Sequence, residues 1–311
     1  MTVLVALDSF KGSLSAREAS EALARGIRSE RPDEKVIVLP VADGGDGLID
    51  CLKDFLLADG WQVKTVLVSG PYGQNVEASY LAKGDRAVIE MATCCGLTLV
   101  PKEQRRVMFA SSYGLGEVIK DAYLEGVRQI HIGLGGSATN DLGLGCMQAL
   151  GVKFFNADGQ PITDHISAND FCKIVRLETE DFSDRFQDLS VMAVCDVNNP
   201  LLGPAGATAV FGPQKGVQGD DLSRMQSGMA YAATVLKEHF LKDLSHSTSA
   251  GAAGGMGAAL MWFFGATRLK GIDAVLDMIG FDRILKRSDY VLTGEGSFDE
   301  QSLSGKAPSG V

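Results

Sequence analysis

Apolar and polar positions along the chain follow two periods. Thr2-Val3-Leu4-Val5-Ala6-Leu7 is a continuous apolar run of strand length, and Val36-Ile37-Val38-Leu39 is a second, the pattern of strands covered on both faces. Between them Ala19, Ala22, Leu23 and Ile27 recur at helical spacing against Arg17, Glu21, Arg25 and Arg28. The stripe follows Ser15-Ala16-Arg17-Glu18, which has the form of a capping box. Leu48, Ile49, Leu52, Phe55 and Leu56 mark another helix, stopped by Gly60. This strand, helix, strand, helix order predicts a parallel sheet.

From Trp61 to Leu99 the texture changes. Val63–Val68, Ala78–Leu81 and Ala87–Glu90 read as strands separated by turns at Pro71, Gly73 and Gly84-Asp85, and a second domain is expected to begin near Leu67. Alternation then resumes, with a helix over Tyr113–Leu124, a strand over Gln129–Leu134, a helix through Leu144–Leu150 and a strand over Leu189–Val194. Helices around Leu222–Phe240 and Met256–Phe264 and a strand Tyr290–Thr293 follow, with no internal repeat. After Ala307-Pro308-Ser309-Gly310-Val311 a further helix is expected.

Composition narrows the function classes. Asp and Glu outnumber Lys and Arg by 39 to 29, and a net charge of −10 provides no basic field for nucleic acid or a phospholipid surface. The uncharged run Ala250–Ala266 is short for a membrane span, and its first half is glycine-rich, so it reads as a loop feeding a buried helix. The N-terminus has no signal-peptide pattern, and the 6 cysteines show no metal or redox spacing. A cytoplasmic protein with reduced core cysteines is expected. The 4 histidines likewise lack ligand spacing.

Polar, glycine-rich clusters recur immediately after strands, the edge at which open parallel sheets bind ligands. They are Asp8–Ser13, Asp43–Gly47, Gly135–Asp141, Cys195–Asn199 and Gly294–Asp299, with Gly251–Gly257 as a sixth that opens a helix. Any one could be an ordinary turn or cap. Five acidic or hydroxyl-bearing turns on one edge suit an anionic substrate with a metal. Phosphoryl transfer needs donors for phosphate oxygens, carboxylates for Mg²⁺, a cation and a base. No phosphate-loop or protein-kinase motif is present. Gly133-Leu134-Gly135-Gly136-Ser137-Ala138, with Asp158 about twenty residues on, fits a relaxed dinucleotide fingerprint, but Thr139-Asn140-Asp141 add polar groups that a dinucleotide loop does not use.

At these residues the chain resembles the bacterial glycerate kinases of the glyoxylate and glucarate pathways. The resemblance covers Asp8–Ser15, Ala42–Gly47, Gly133–Asp141, Cys195–Leu201, Phe211–Gly216, Gly251–Gly257 and Thr293–Asp299. It implies ATP- and Mg²⁺-dependent phosphorylation of D-glycerate, usually to 2-phosphoglycerate, in organic acid catabolism. It also implies a two-domain α/β fold, in which a parallel-sheet, Rossmann-like first domain carries a flavodoxin-like α/β domain inserted into it. The first domain would comprise residues 1–67 and 289–311, and the insert residues 68–288. Family members are expected to continue past a position like Val311. The oligomeric state is left open.

Asp196, ending an apolar strand with Asn198 nearby, is the first candidate for the base that accepts the glycerate hydroxyl proton, with metal ligation as its rival role. Asp43 and Asp46 are assigned to metal or phosphate-bound water, and Glu295 and Asp299 are further metal candidates. Lys11 and Lys306, in glycine- and serine-rich loops, would neutralise phosphate charge, and Lys215 is a weaker third. Gly135, Gly136, Ser137, Thr139 and Asn140, taken as a helix start, would hold glycerate carboxylate or phosphate. Asp8, Ser9, Gly44, Gly45, Gly254 and Gly255 join the nucleotide-binding set. A non-catalytic small-anion binding protein and an NAD-type oxidoreductase are the alternatives.

Overall fold

The computed structural model describes residues 1–10, 13–42, 47–217, 219–297 and 310–311. The fold is mixed α/β, as the alternation predicts. In chain order its strands are β1 (Thr2–Leu7), β2 (Lys35–Val38), β3 (Gln62–Ser69), β4 (Asn75–Lys83), β5 (Arg86–Glu90), β6 (Gln129–Gly133), β7 (Lys153–Phe155), β8 (Arg176–Glu178), β9 (Ser190–Val194), β10 (Thr267–Leu269) and β11 (Tyr290–Gly294). The chain divides into two compact units, one of residues 1–63, 194–196 and 269–311, the other of residues 64–193 and 197–268.

The first unit contains a three-stranded sheet in the order β11-β1-β2, parallel throughout. Its central strand is buried from Val3 to Leu7. Val3, Val5 and Leu7 pack on Ala19, with Leu23, Ile27, Phe10 and Val36 around them. The helix Ala16–Glu30 thus turns Ala19, Leu23 and Ile27 of the expected stripe onto the sheet, whereas Ala22 is exposed with Arg25 and Arg28. The capping box forms: Glu18 N–H donates to Ser15 Oγ at 3.2 Å, and Ser15 N–H donates to Glu18 Oε2 at 2.8 Å. Arg17 pairs with Asp54 of the next helix, Leu48–Ala58.

The second unit is built on a six-stranded sheet in the order β10-β9-β6-β5-β4-β3. It is mixed, with β5 and β6 parallel and β4 antiparallel to β5. A two-stranded ribbon, β7-β8, stands apart from it. Helices Tyr113–Leu124 and Leu144–Ala149 pack closely because Gly116 is bare where they meet; a Cβ there would come 2.7 Å from Ala149 Cβ.

The strand-end clusters therefore do not share one edge, as the sequence led us to expect. Those after β1 and β11 belong to the three-stranded sheet and those after β6 and β9 to the six-stranded one. Local patterning marks a strand end but carries no information about which sheet the strand joins. Among the cysteines, five are buried and none forms a disulfide, while Cys172 is exposed on the turn Ala168–Lys173 rather than in the core. No helix among the described residues is long and apolar enough to cross a membrane.

Candidate functional site

Three turns of the second unit meet. The first, residues 134–143, follows β6; the second, 197–200, follows β9; the third, 249–257, enters the helix Ala252–Phe263. Ser249 Oγ–H donates to the Val197 carbonyl at 2.7 Å, Gly251 N–H to Asn199 O at 3.0 Å, and Leu142 N–H to Gly254 O at 3.1 Å. Gly254, at φ 69°, lies so close to the first turn that a Cβ would fall 2.6 Å from Asn140 Cα. The helical path is broken there, because Ala253, Gly254 and Gly255 are all left-handed. Of the four non-glycine residues at positive φ among those described, Leu142, Ser249 and Ala253 lie in these turns. Such backbone costs about 1–3 kcal/mol a residue and gathers where function requires a fixed shape.

Polar side chains converge at the same place. Ser137, Thr139 and Asn140 are buried, and so is Lys215 from the turn Pro213–Lys215. Lys215 Nζ donates to Ser137 Oγ at 2.8 Å and to the Thr139 carbonyl at 2.7 Å. Asn140 Nδ2 donates to Thr208 Oγ1 at 2.8 Å. Thr139 Oγ1 and Asn140 Oδ1 are buried without a hydrogen-bond partner among the described residues, and buried polar atoms are rarely left so unless something else satisfies them. Burial pulls the Lys215 amine down to about 7, against the opposing charge of Asp141.

The description of Gly135–Asn140 as a helix start needs correction. The helix begins at Leu144 and is six residues long. Its first amides are already used: Asp141, wholly buried, accepts Gly143 N–H and Gly145 N–H, each at 3.3 Å. Asp141 also accepts the N–H and Oγ–H of Ser112, each at 2.7 Å, so one carboxylate ties the starts of two helices together. Burial raises its pKa, and the Ser112 hydrogen bonds are the main opposing influence. The same correction removes the support for a dinucleotide loop, which opens directly into its helix. Asp158 lies in the separate turn between Asn156 and Gln160.

The remaining candidates are divided between the two units. Asp8 follows β1 and Glu295 follows β11, each one residue beyond the Leu7–Gly294 pairing; Asp8 N–H donates to Gly294 O at 2.9 Å. Ser9 N–H donates to Asp8 Oδ1 at 2.6 Å. These oxygen donors at a sheet edge are of the kind a hard cation such as Mg²⁺ takes. Asp196 Oδ1 accepts Gly271 N–H at 2.7 Å, at the start of the helix Gly271–Met278. Asn198 belongs to the second unit, where its side chain is exposed and its carbonyl accepts Ser249 N–H at 3.4 Å. Lys11, Asp43, Gly44, Gly45, Asp46, Asp299 and Lys306 lie outside the described residues. Thr208 and the full burial of Lys215 were not foreseen. Thr208 sits in an ordinary Ala-Thr-Ala-Val run, and nothing local signals its role.

Comparison with known proteins agrees with this framework. The Glycerate kinase family profile matches residues 3–311. A glycerate kinase of Halalkalibacterium halodurans is 40% identical over all of this chain and 81% of its own length. The glycerate 2-kinase of Escherichia coli K12 is 39% identical over the same shares. A crystal structure of a candidate glycerate kinase 2 from Salmonella typhimurium LT2 superposes with a TM-score of 0.84 at 38% identity, covering 97% of this chain and 80% of that one. On a match that runs the length of the chain, this protein belongs to the glycerate kinase family, phosphotransferases that use an alcohol group as acceptor.

Proposed function

We propose that this chain transfers the terminal phosphate of ATP to a hydroxyl of D-glycerate, giving 2-phosphoglycerate, as a cytoplasmic enzyme of organic acid catabolism. The observation that carries the proposal is the full-length relationship, at about 40% identity, to proteins named glycerate kinase. The buried polar turns give it a physical basis, since orientation and electrostatic stabilisation do most of the work in phosphoryl transfer. We take the domain plan as residues 1–67 with 289–311, interrupted by residues 68–288.

Asp196 is the base in this scheme. Its Oδ1 accepts Gly271 N–H at 2.7 Å, a hydrogen bond that orients the carboxylate for proton transfer. Asn198, Lys11 and Lys306 bind and neutralise around the transferring group. Ser137, Thr139 and Asn140, with Gly135 and Gly136, hold an anionic group, and Gly254 and Gly255 keep that turn in shape from the opposite side. Asp8, Ser9, Gly44, Gly45 and Glu295 complete the nucleotide set. Asp43, Asp46 and Asp299 would hold Mg²⁺, which when bound neutralises charge on the phosphate oxygens.

The test is a coupled ADP-release assay with ATP, Mg²⁺ and D-glycerate, run beside Asp196→Asn. Glycerate-dependent ADP release that falls by two or more orders of magnitude in the variant, roughly what loss of a general base costs, is the expected result. Turnover that survives moves the base elsewhere. ATP-independent binding of D-glycerate without ADP release would favour a small-anion binding protein.

A further inference from the structure

Lys215 is buried more deeply than any role assigned so far requires. It is 3% exposed, and it donates to two oxygens of the Ser137–Thr139 turn, 76 to 78 residues away in sequence. An ammonium carries donors only. The Ser137 oxygen must therefore accept from Lys215, and the hydroxyl's own proton is directed to some other acceptor. Ser137 adjoins Gly135 and Gly136, which are half-buried and so reachable from solvent.

The surroundings of this hydroxyl would otherwise repel an anion. The helix start downstream offers no amides, because Asp141 takes those of Gly143 and Gly145, and Asp141 adds a negative charge of its own. An oxyanion brought to Ser137 needs a compensating cation, and Lys215 is hydrogen-bonded to that very hydroxyl.

We propose that Lys215 is a positioning residue, whose ammonium fixes Ser137 Oγ as an acceptor so that the hydroxyl donates its proton to an oxyanion, a carboxylate or a phosphate oxygen, held on the Gly135–Ser137 turn. The proposal rests on the phosphotransferase function above and identifies the cation that serves this turn. The groups facing Lys215 are Asp141, which favours its charged form, the neutral oxygens of Ser137 and Thr139, and Arg105, whose Nη1 donates to the carbonyl of the neighbouring Gln214 at 3.3 Å. Cys95, whose carbonyl accepts Ala138 N–H, has a thiol held well above its usual range by Cys94 and by burial, so it stays neutral. Loss of the Lys215 proton has two effects. The positive charge disappears, and the amine becomes an acceptor towards which the Ser137 hydroxyl can turn, away from the ligand. Since burial places this transition near pH 7, ligand binding should weaken as pH rises, and binding should take up a proton.

The experiment measures KM and kcat for D-glycerate and for ATP separately between pH 6 and 9, in the wild type, Lys215→Met and Ser137→Ala. For one substrate, the wild-type KM should be flat below pH 7 and then rise by up to about tenfold per pH unit. In Lys215→Met the same KM should already be raised about tenfold or more at pH 6.5 and should no longer vary with pH, with kcat changing far less. Ser137→Ala should reproduce the raised KM. A rise confined to D-glycerate identifies the carboxylate, and one confined to ATP identifies a phosphate oxygen. PH-independent KM values for both substrates in the wild type, with Ser137→Ala within twofold, overturn the proposal even if Lys215→Met fails to fold. Absence of ADP release in the wild type would instead refute the kinase function. Calorimetry of ATP and of D-glycerate binding in two buffers then decides separately: proton uptake near pH 7.5 supports the role of Lys215, and binding without it, or no binding, rejects it.

Discussion

Gly254 offers a direct test of whether the three turns form one rigid unit. Gly254→Ala introduces two costs. At φ 69° an L side chain is strained by about 1–2 kcal/mol. The new methyl also meets backbone, lying 2.6 Å from Asn140 Cα and 2.9 Å from the Thr139 carbonyl carbon. Neither neighbour is a flexible side-chain end, so relief requires the 137–142 turn to move, at a further cost of about 1–3 kcal/mol typical of overpacking. Gly126→Ala is the matched control: it lies in the same unit, at φ 96°, with nothing within 4 Å of the added atom. Urea unfolding should give a loss of about 1–2 kcal/mol for the control, from backbone strain alone, and about 2–5 kcal/mol for Gly254→Ala. Initial rates of ADP release should fall only in the latter. Equal losses in the two variants would show that the 249–257 segment does not brace the Thr139–Asn140 turn and would refute the reasoning.

Other expectations are equally specific. Asp141→Asn keeps the shape but turns an amide NH₂ towards groups that are all donors, and should cost about 3 kcal/mol or more by urea unfolding; a loss under about 1 kcal/mol would show that those hydrogen bonds are not worth what their burial implies. The folded-state pKa of Lys215 is below its unfolded value, so the unfolded chain binds the extra proton between pH 7 and 10.5 and stability should rise with pH across that window. Measured at pH 7, 8 and 9, the rise is up to about 1.4 kcal/mol per unit, and Lys215→Met should remove that slope. Ser15→Ala should destabilise the first unit by about 1 kcal/mol through loss of its cap, read from its thermal or urea transition, with no change in the second unit.

How far these features were legible in the sequence depends on the range over which they are determined. The capping box at Ser15, the apolar run of β1 and the helical stripe through Ile27 are encoded within a few residues, and each forms where its pattern lies. The glycine run at Gly251–Gly257 announced an irregular turn, but not that Ala253 would share its left-handed backbone. The burial of Lys215 was invisible for a different reason. Gly-Pro-Gln-Lys-Gly looks like a solvated loop, and only the distant Ser137 and Thr139 make its ammonium tolerable inside the protein. Asp141, the last residue of a polar cluster, was given no role of its own from the sequence. An acid just ahead of a helix suggests ligand chemistry, yet this one spends its acceptors on the protein's own amides. The division of the strand-end clusters between two sheets is likewise a long-range property, fixed by which strands pair rather than by their local composition.

That long-range pairing has a consequence for how the molecule comes into being. The middle strand of the three-stranded sheet, β1, takes one partner from residues close behind it and the other from β11, and Thr2 N–H meets the Asp289 carboxylate across 287 residues of chain. Emerging from the ribosome, the first strand must wait for that neighbour until 287 further residues have been made, while residues 64–193 and 197–268 have their own six-stranded framework available earlier. Closing so large a loop is slow. The nascent chain therefore carries an apolar strand with an open edge while all of those residues are made, the circumstance in which chaperones and mispairing compete.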